Sequence, residues 1–202
     1  MNRILAVVAH PDDESFWCGG TLAKLSSEGA LVSVLVMSDG CEARPDTDAM
    51  ARWVAYCEAG EELGAALVSE RSCFPDQQAD AVPQLVINRT VESALALYRP
   101  DVVYTHHVGD LNIDHRRVAE AVLVATRPGC SSVETVYHMR PEWPDRCVGP
   151  AWAPTHHVGI AETLEAKVRA CLCYTAELRP YPHPRSERAI REASHESFMV
   201  TT

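Results

Sequence analysis

Five apolar residues, Ile4 to Val8, lead directly into a histidine and three carboxylates in the run Ala9-His10-Pro11-Asp12-Asp13-Glu14. A short run of branched apolar residues predicts a buried strand of a parallel sheet. Open α/β sheets place their binding sites at the carboxyl ends of such strands. A divalent cation would balance this negative charge, because His nitrogen and Asp oxygen are good zinc ligands. The alternative is a solvated acidic turn, in which Pro-Asp-Asp is ordinary.

A second group of polar residues follows another predicted strand, Asp101 to Thr105. It comprises His106, His107, Asp110, Asn112, Asp114 and His115. Of the two adjacent histidines, one must face the core of the sheet, and the other can cap a turn or face solvent. Because both groups end a predicted strand, we expect them to meet at one edge of the sheet.

Three side chains from these two groups make the kind of set that zinc binds. A catalytic zinc site takes three protein ligands and leaves one position open for water. His10, Asp13 and His115 would supply two imidazoles and one carboxylate. Asp12 would then lie beside the metal without binding it, as a candidate base.

Predicted strands and helices alternate along the chain. Strands are expected over residues 4–8, 31–37, 65–72, 101–105, 133–139 and 156–161. Helices are expected over residues 19–28, 48–63, 82–98, 113–126, 162–173 and 187–198. This alternation is typical of βαβ units, and it predicts an α/β, Rossmann-like, doubly wound and mainly parallel sheet with helices on both faces. A length of 202 residues without a linker predicts one domain over residues 1–202.

The charge and hydropathy of the chain exclude several classes of partner. The net charge is −10 and the 18 basic residues form no block, which argues against nucleic acid as a partner. No apolar run approaches the length of a membrane span, so no membrane partner is expected. The N-terminus shows no signal-peptide pattern, which predicts a cytoplasmic location.

The eight cysteines are scattered and form no CxxC pair. This spacing predicts reduced thiols that fill small apolar spaces, and neither a disulfide scaffold nor a zinc ribbon. Cys18 and Cys41 lie close to predicted strand ends, where they could line a pocket. A nucleophilic cysteine is the alternative.

The two polar groups resemble the signature motifs of the PIG-L/LmbE-like deacetylases. The first motif is the AHPDDE run with Gly19-Gly20, and the second is the segment 107–116. The likeness continues through Arg52, Leu63-Gly64, Phe74-Pro75-Asp76, residues 174–185 and residues 196–198. Members of this family are zinc-dependent N-acetylglucosaminyl deacetylases with a Rossmann-like core. The resemblance therefore implies a hydrolase that releases acetate and a free amine from an N-acetylated sugar or glycoconjugate.

The resemblance also implies roles for individual residues. His10, Asp13 and His115 become the ligands of Zn²⁺, or of another divalent metal such as Fe²⁺, and Asp12 becomes the general base. The resemblance implies that sugar hydroxyls contact Arg52 and Asp76. It implies that the metal ligands are oriented by Glu14, Asp110 and Asp114. Asp110 could instead cap the turn into the following helix.

One position departs from the family pattern. Three residues before the last metal-ligand histidine, family members carry a histidine that stabilises the developing oxyanion, and here the residue is Asn112. An asparagine amide can donate a hydrogen bond but cannot act as an acid at neutral pH. Either Asp12 handles both proton transfers, or another histidine, such as His107 or one from the C-terminal tract, takes over.

Two other readings of the site remain open at this point. One is a metal-dependent hydrolase of another amide or of an ester, and the other is a non-catalytic, carbohydrate-binding relic of the fold. The Pro-rich tract 179–184 either covers the site or packs between subunits of an oligomer, and packing is the favoured expectation.

Overall fold

The structure is a computed structural model that describes residues 2–42, 48–68 and 72–202. The strands of its sheet are β1 (Arg3–Val8), β2 (Leu31–Val36), β3 (Ala66–Val68), β4 (Val102–Thr105), β5 (Thr135–Met139), β6 (His156–Gly159) and β7 (His195–Thr201). The α-helices are α1 (Asp13–Ser27), α2 (Ala49–Leu63), α3 (Gln84–Tyr98), α4 (Ile113–Ala125), α5 (Leu164–Cys173) and α6 (Glu187–Arg191). Short 3₁₀ helices cover Ala79–Ala81, Pro144–Arg146 and Thr175–Glu177.

The strands form one sheet in the order β3-β2-β1-β4-β5-β7-β6. The first five strands of this order are parallel, and β7 pairs antiparallel with both β5 and β6. The chain winds outward in one direction from β1 and in the other from β4. A crevice therefore opens between the carboxyl ends of β1 and β4, where ligands bind in this class of sheet. The predicted α/β, doubly wound, mainly parallel fold is confirmed.

Helices cover both faces of the sheet. The side chains of Ile4, Ala6 and Val8 on β1 belong to a core that includes apolar residues of α1, α2 and α5. Leu5 and Val7 point to the opposite face, where they share a core with residues of α3 and α4. Because successive strand residues face opposite sides, this alternation fixes the register of β1 and the position of the residues that follow it.

The first helix begins earlier than the sequence predicts. α1 starts at Asp13, and not at Gly19. The Asp12 carbonyl accepts hydrogen bonds from the backbone N–H groups of Ser15 and Phe16, which closes the first turn. Carboxylates in a first turn are favoured by the positive end of the helix dipole, so Asp13 and Glu14 stabilise the start of this helix. The motif is thereby held between a strand end and a helix start.

The predicted last helix, residues 187–198, is wrong in its second half. α6 ends at Arg191, and the chain then forms β7 (His195–Thr201). Glu196 and Phe198 are buried in alternation with less buried neighbours, and β7 pairs on both sides. Tertiary pairing therefore overrides the helical pattern. Most other predicted bounds agree within two residues, while residues 69–71 of the predicted third strand lie outside the described residues.

A buried ion pair ties α1 to α5 and β7. Lys167 Nζ lies 2.5 Å from Glu196 Oε1 and donates to the Phe16 carbonyl at 2.9 Å. The Glu196 carboxylate also accepts from the backbone N–H groups of Gly20 and Thr21. Each charge is thus compensated inside the core.

Removing one partner of this pair should be costly. We expect Lys167→Met to lower the free energy of unfolding by about 3–5 kcal/mol, because it leaves the Glu196 charge buried without a cation. The double variant K167M/E196Q should recover part of that loss, since the glutamine oxygen still accepts from the α1 backbone. Urea unfolding of the three proteins measures this. A loss below about 1 kcal/mol in K167M would mean that the pair behaves like an exposed one.

In the part of the chain that the structure describes, none of the helices combines the length and apolar character needed to cross a membrane.

Candidate metal centre and active-site pocket

The two polar groups predicted from the sequence meet at the crevice. His10, Asp12 and Asp13 follow β1, and His115 lies in the first turn of α4, the helix that follows β4. Asn112 is the N-cap of α4, and its side-chain oxygen accepts from the backbone N–H of Asp114 at 2.9 Å. This cap fixes where α4 begins and so aims its first turn at β1.

One ligand atom from each of His10, Asp13 and His115 can be chosen so that all three lie within 4.8 Å of one another. Asp13 Oδ2 lies 3.3 Å from His10 Nδ1 and 3.3 Å from His115 Nε2. All three residues are buried, with exposed fractions of 6%, 0% and 4%. Two imidazoles and a carboxylate with this spacing form a set of donors that suits a divalent metal.

A second layer of carboxylates orients the two imidazoles. Asp110 Oδ2 lies 3.0 Å from His115 Nδ1, and Asp114 Oδ2 lies 2.9 Å from His10 Nε2. Because an ionised carboxylate only accepts, each imidazole donates there and turns its other nitrogen toward Asp13, where that nitrogen can bind a metal once it is deprotonated. Metal-binding histidines are commonly held in this way. Asp110 also accepts from the backbone N–H of Asn112, so it supports the turn into α4 as well.

Unsatisfied atoms in this group indicate that a cation fits there. His115 Nε2 and Asp13 Oδ1 are buried and have no hydrogen-bond partner within the described ranges. Buried polar atoms are normally paired, so an unpaired imidazole nitrogen and an unpaired carboxylate oxygen within one cluster indicate a missing ligand. A divalent cation would satisfy both atoms.

Two alternative groups share residues with this set. The first group is His106, Asp110 and His115, and the second is His10, Asp76 and Asp114. In the first, His106 Nε2 already accepts from the backbone N–H of Ala9 at 2.8 Å. In the second, the two oxygens of Asp114 accept from the backbone of Gln77 and Ala79. These existing bonds make both alternatives weaker metal sites.

The titration behaviour of the cluster follows from its charges. Burial alone would lower the pKa of His115, but the Asp13 and Asp110 carboxylates raise it to about 9. Burial would raise the pKa of Asp13, but the neighbouring His115 holds it well below its usual range. His106, stacked on His115 with ring centroids 3.8 Å apart, has its pKa lowered to about 3 by burial and by His115. Asp13 is therefore the anion at the centre of the group.

Asp12 is held in an unusual backbone conformation. Its φ angle is 121°, which residues other than glycine rarely adopt and which costs on the order of 1–3 kcal/mol. Glu14 Oε2 accepts from the Asp12 backbone N–H, and Glu14 Oε1 accepts from the hydroxyls of Ser15 and Tyr174. Burial raises the pKa of Glu14 to about 7, although these hydroxyls lower it in part. Glu14 thus supports the strained turn that presents Asp12.

Two arginines hold one oxygen of the Asp12 carboxylate. Asp12 Oδ2 accepts from Arg185 Nη1 at 2.9 Å and from Arg52 Nη2 at 3.3 Å. The other oxygen, Oδ1, is buried and has no hydrogen-bond partner among the residues described. Burial raises the pKa of Asp12 to about 6, while Arg185 and Arg52 limit the rise. The carboxylate is therefore fixed through one oxygen and available through the other.

These groups border a cavity of about 200 Å³. Its lining residues are His10, Asp12, Gly40, Arg52, Asp76, Gln77, Asn112, His115, Glu142, Glu177, Arg179, His183 and Arg185. The cavity brings together the predicted base, two of the predicted metal ligands, both predicted sugar contacts and Asn112. Cys18 and Cys41 are not among its lining residues, and both are free thiols.

The two residues implied in sugar contacts already have protein partners. Arg52 donates to Glu177 at 2.7 Å and to the Pro11 carbonyl at 3.0 Å. Asp76 Oδ1 lies 3.1 Å from His10 Nε2. Gly40 makes room for Arg52: its φ is +68°, and a Cβ there would lie 2.7 Å from Arg52 Nε. Both predicted residues therefore line the pocket, and both also shape it.

His107 lies away from the pocket. Its Nε2 contacts the Pro150 carbonyl at 2.9 Å, and its ring packs edge-on against Trp152. It is 1% exposed and does not line the cavity. This position does not support the predicted catalytic role, and it corresponds to the alternative in which one of the two adjacent histidines packs inside.

The C-terminal tract contributes further residues to the site, of which the sequence offered only an unspecified histidine, as a possible proton donor. Arg179 and His183 of the Pro-rich tract line the cavity, together with Glu177 and Arg185 on either side of it. The tract therefore borders the pocket, in line with the alternative that it covers the site, and packing between subunits stays a prediction. Arg185 is central: it donates to Asp12 and to Glu142, and its guanidinium lies 4.8 Å from the ring centroid of Phe16. In the sequence, the feature that could have indicated Arg185 is the group of arginines within residues 174–185, the stretch that resembles the family.

The part of the chain that carries both polar motifs matches a known protein family. Residues 5–126 match the family described as PIG-L, GlcNAc-PI de-N-acetylase. The "1D-myo-inositol 2-acetamido-2-deoxy-alpha-D-glucopyranoside deacetylase" of Rhodococcus erythropolis is 42% identical over 84 residues, which are 42% of this chain and 28% of that protein. The "Uncharacterized deacetylase YaiS" of Escherichia coli K12 is 30% identical over 130 residues, covering 61% of this chain and 68% of that protein.

A solved structure shares the whole fold at low identity. GalB, the 4-carboxy-2-hydroxymuconate hydratase of Pseudomonas putida KT2440, superposes with a TM-score of 0.78 at 19% identity, covering 100% of this chain and 97% of that one. This similarity establishes the fold alone, because one fold hosts different reactions. The family match covers both polar motifs and more than half of the chain, so the chain belongs to the PIG-L family of de-N-acetylases.

Proposed function

We propose that this chain is a metal-dependent deacetylase that hydrolyses the acetamide of an N-acetylglucosamine-type sugar or glycoconjugate. The observation that carries the proposal is the convergence of His10, Asp13 and His115, with orphaned ligand atoms, beside a base carboxylate that has one unpaired oxygen. Membership of the PIG-L family supports the reaction class. The related deacetylase from Rhodococcus erythropolis, named for an acetamidoglucose-inositol substrate, supports the substrate class.

The proposed protein ligands of zinc are His10, Asp13 and His115, and ferrous iron is the alternative metal. When bound, such a metal lowers the pKa of a water molecule toward neutrality and polarises a carbonyl oxygen. Asp110 and Asp114 keep the two imidazoles in the tautomers that this binding needs.

Asp12 supplies the base. Its Oδ1 atom accepts the proton of the attacking water, because Oδ2 is already held by Arg185 and Arg52. A pKa of about 6 suits a group that must be ionised near neutral pH and yet accept a proton. The strained backbone at Asp12 is consistent with a residue fixed for this purpose.

Asn112 helps to stabilise the negative charge that develops on the acetamide oxygen as water attacks. Its side-chain oxygen is engaged by the backbone of Asp114, and its amide N–H groups, which have no acceptor among the residues that the structure describes, can donate at the pocket wall. A neutral donor there stabilises developing negative charge. The proton returned to the leaving nitrogen comes from Asp12 or from His183, the C-terminal histidine that lines the pocket. His183 Nδ1 accepts from the backbone N–H of Arg185, so a neutral His183 carries its proton on Nε2.

The size of the pocket favours a small reacting unit. A cavity of about 200 Å³ is below the ~300–1,000 Å³ that drug-sized ligands occupy. It therefore suits one sugar ring with its acetamide, while the remainder of a glycoconjugate would lie outside.

The test is an assay of acetate and primary amine release from N-acetylglucosamine conjugates, run beside simple acetyl esters. We expect the amide substrates to be hydrolysed, a chelator to stop turnover, and zinc to restore it. Preferential hydrolysis of esters would favour the alternative hydrolase. Binding of the sugars without any turnover of the zinc-loaded protein would favour the carbohydrate-binding relic.

Arg185 offers a sharper test of the base. We expect Arg185→Lys to lower kcat by about 10²-fold, because a lysine cannot hold Asp12 and Glu142 together with a planar fork, and small displacements of a reacting group have effects of this size. Arg188→Lys, at an exposed position three residues later, serves as the matched control and should leave kcat unchanged. Steady-state kinetics of both variants measure this effect. Equal kcat values for R185K and the parent would mean that Arg185 does not position Asp12 for catalysis.

A further inference from the structure

A second cavity borders the same C-terminal segment. Pro184 lines it, whereas the adjacent Arg185 lines the active-site pocket. With a volume of about 360 Å³ it is the larger of the two and falls within the usual size of ligand pockets. Its walls include Phe16, Trp17, Arg140, Lys167, Ala189 and Glu196. None of these residues takes part in the proposed reaction.

The walls of this cavity carry one arginine that has no direct ion-pair partner among the described residues, Arg140. Lys167 and Glu196 neutralise each other at 2.5 Å. Arg140 is half-buried and makes no side-chain hydrogen bond or ion pair with any residue in the described ranges. Burial lowers the pKa of Arg140, against weaker opposing effects of Asp145 and Glu142. In a protein with a net charge of −10, an unpaired and partly desolvated guanidinium is a binding group for an anion.

The remaining walls are largely apolar. Phe16 and Trp17 are only 5% and 7% exposed, and Ala189 and Ile190 close the cavity from α6. A ligand that fills this space must therefore carry an apolar part beside its negative charge. Inorganic phosphate or sulfate would leave these walls uncovered.

We propose that this cavity is a second ligand site, which binds a small organic carboxylate with an aromatic or short aliphatic tail. The carboxylate pairs with the Arg140 guanidinium, whose two parallel N–H donors match it. The tail packs against Phe16 and Trp17. This cavity shares no lining residue with the active-site pocket, and the site needs no metal.

The test is calorimetric titration with 3-phenylpropionate of the zinc-loaded protein and of the same protein stripped of metal. Stripping is needed because a carboxylate can also bind zinc. We expect one site per chain in both preparations, and weaker binding of the neutral 3-phenylpropionamide. Arg140→Gln should weaken binding of the acid by at least about tenfold, which corresponds to the loss of a charge-assisted hydrogen bond. Arg146→Gln removes the same charge from an exposed position of the same segment and should leave binding unchanged.

A second variant keeps the test decisive if R140Q fails to fold. Ala189→Leu fills the cavity without changing its charge and should abolish binding. The proposal is overturned by the absence of saturable binding, by loss of binding when the metal is removed, or by undiminished binding in A189L.

Discussion

Substituting Asp12 by asparagine is expected to lower kcat by about 10²–10⁴-fold while the metal content of the protein stays unchanged. The amide oxygen can still accept from Arg185, and asparagine tolerates the positive φ of this position better than most residues. The variant therefore keeps the shape of the side chain while it removes proton acceptance and the negative charge that Arg185 and Arg52 contact. Asp12→Ala should be equally inactive, although alanine fits the 121° φ angle less well.

Steady-state assays and elemental analysis of the same D12N preparation test this prediction. Asp39→Asn, which changes an exposed aspartate beside Gly40, is the matched control and should retain parental kcat. Loss of zinc from D12N would place Asp12 among the ligands. Persistent turnover in a fully folded D12N would mean that another group accepts the proton.

The second large effect is expected from His115→Ala, which removes one of three protein ligands. Changes to residues that merely support a metal ligand weaken metal binding by about 10–100-fold, so loss of the ligand itself should do more. We expect the purified variant to hold almost no zinc and to show no turnover at stoichiometric zinc.

The control for this variant is His183→Ala, a histidine that lines the same pocket but lies outside the ligand set. H183A should keep its zinc. Its activity then reports separately on proton return to the leaving nitrogen, because H183A leaves Asp12 as the remaining donor. Tight zinc binding by H115A would break the proposed ligand set.

The sequence predicted the parts of the site that depend on strand ends. The apolar run Ile4 to Val8 is followed at once by the acidic motif, and parallel strands bring their carboxyl ends to one edge. That rule was enough to place His10 and Asp13 beside His115 across a hundred residues. The α/β class followed for the same reason, since strand and helix periods alternate clearly along the chain.

The sequence could not show which residues would reach the pocket from the C-terminal region. Arg185 and Glu177 lie in irregular or 3₁₀ backbone, which has no periodicity to place it. Their position depends on long-range contacts, such as the bond from Arg52 to Glu177 and the packing of Arg185 on Phe16. β7 was mistaken for helix because its pairing partners, β5 and β6, lie far from it in the sequence. Local patterns do not report such pairings.

The proposed function depends on one metal ion bound by His10, Asp13 and His115. This is tested by a crystal structure of the zinc-loaded protein with anomalous diffraction measured at the zinc edge. We expect one strong peak at about 2.0–2.2 Å from His10 Nδ1, an Asp13 carboxylate oxygen and His115 Nε2. A peak bound instead by His106, Asp110 and His115, or by His10, Asp76 and Asp114, would contradict it.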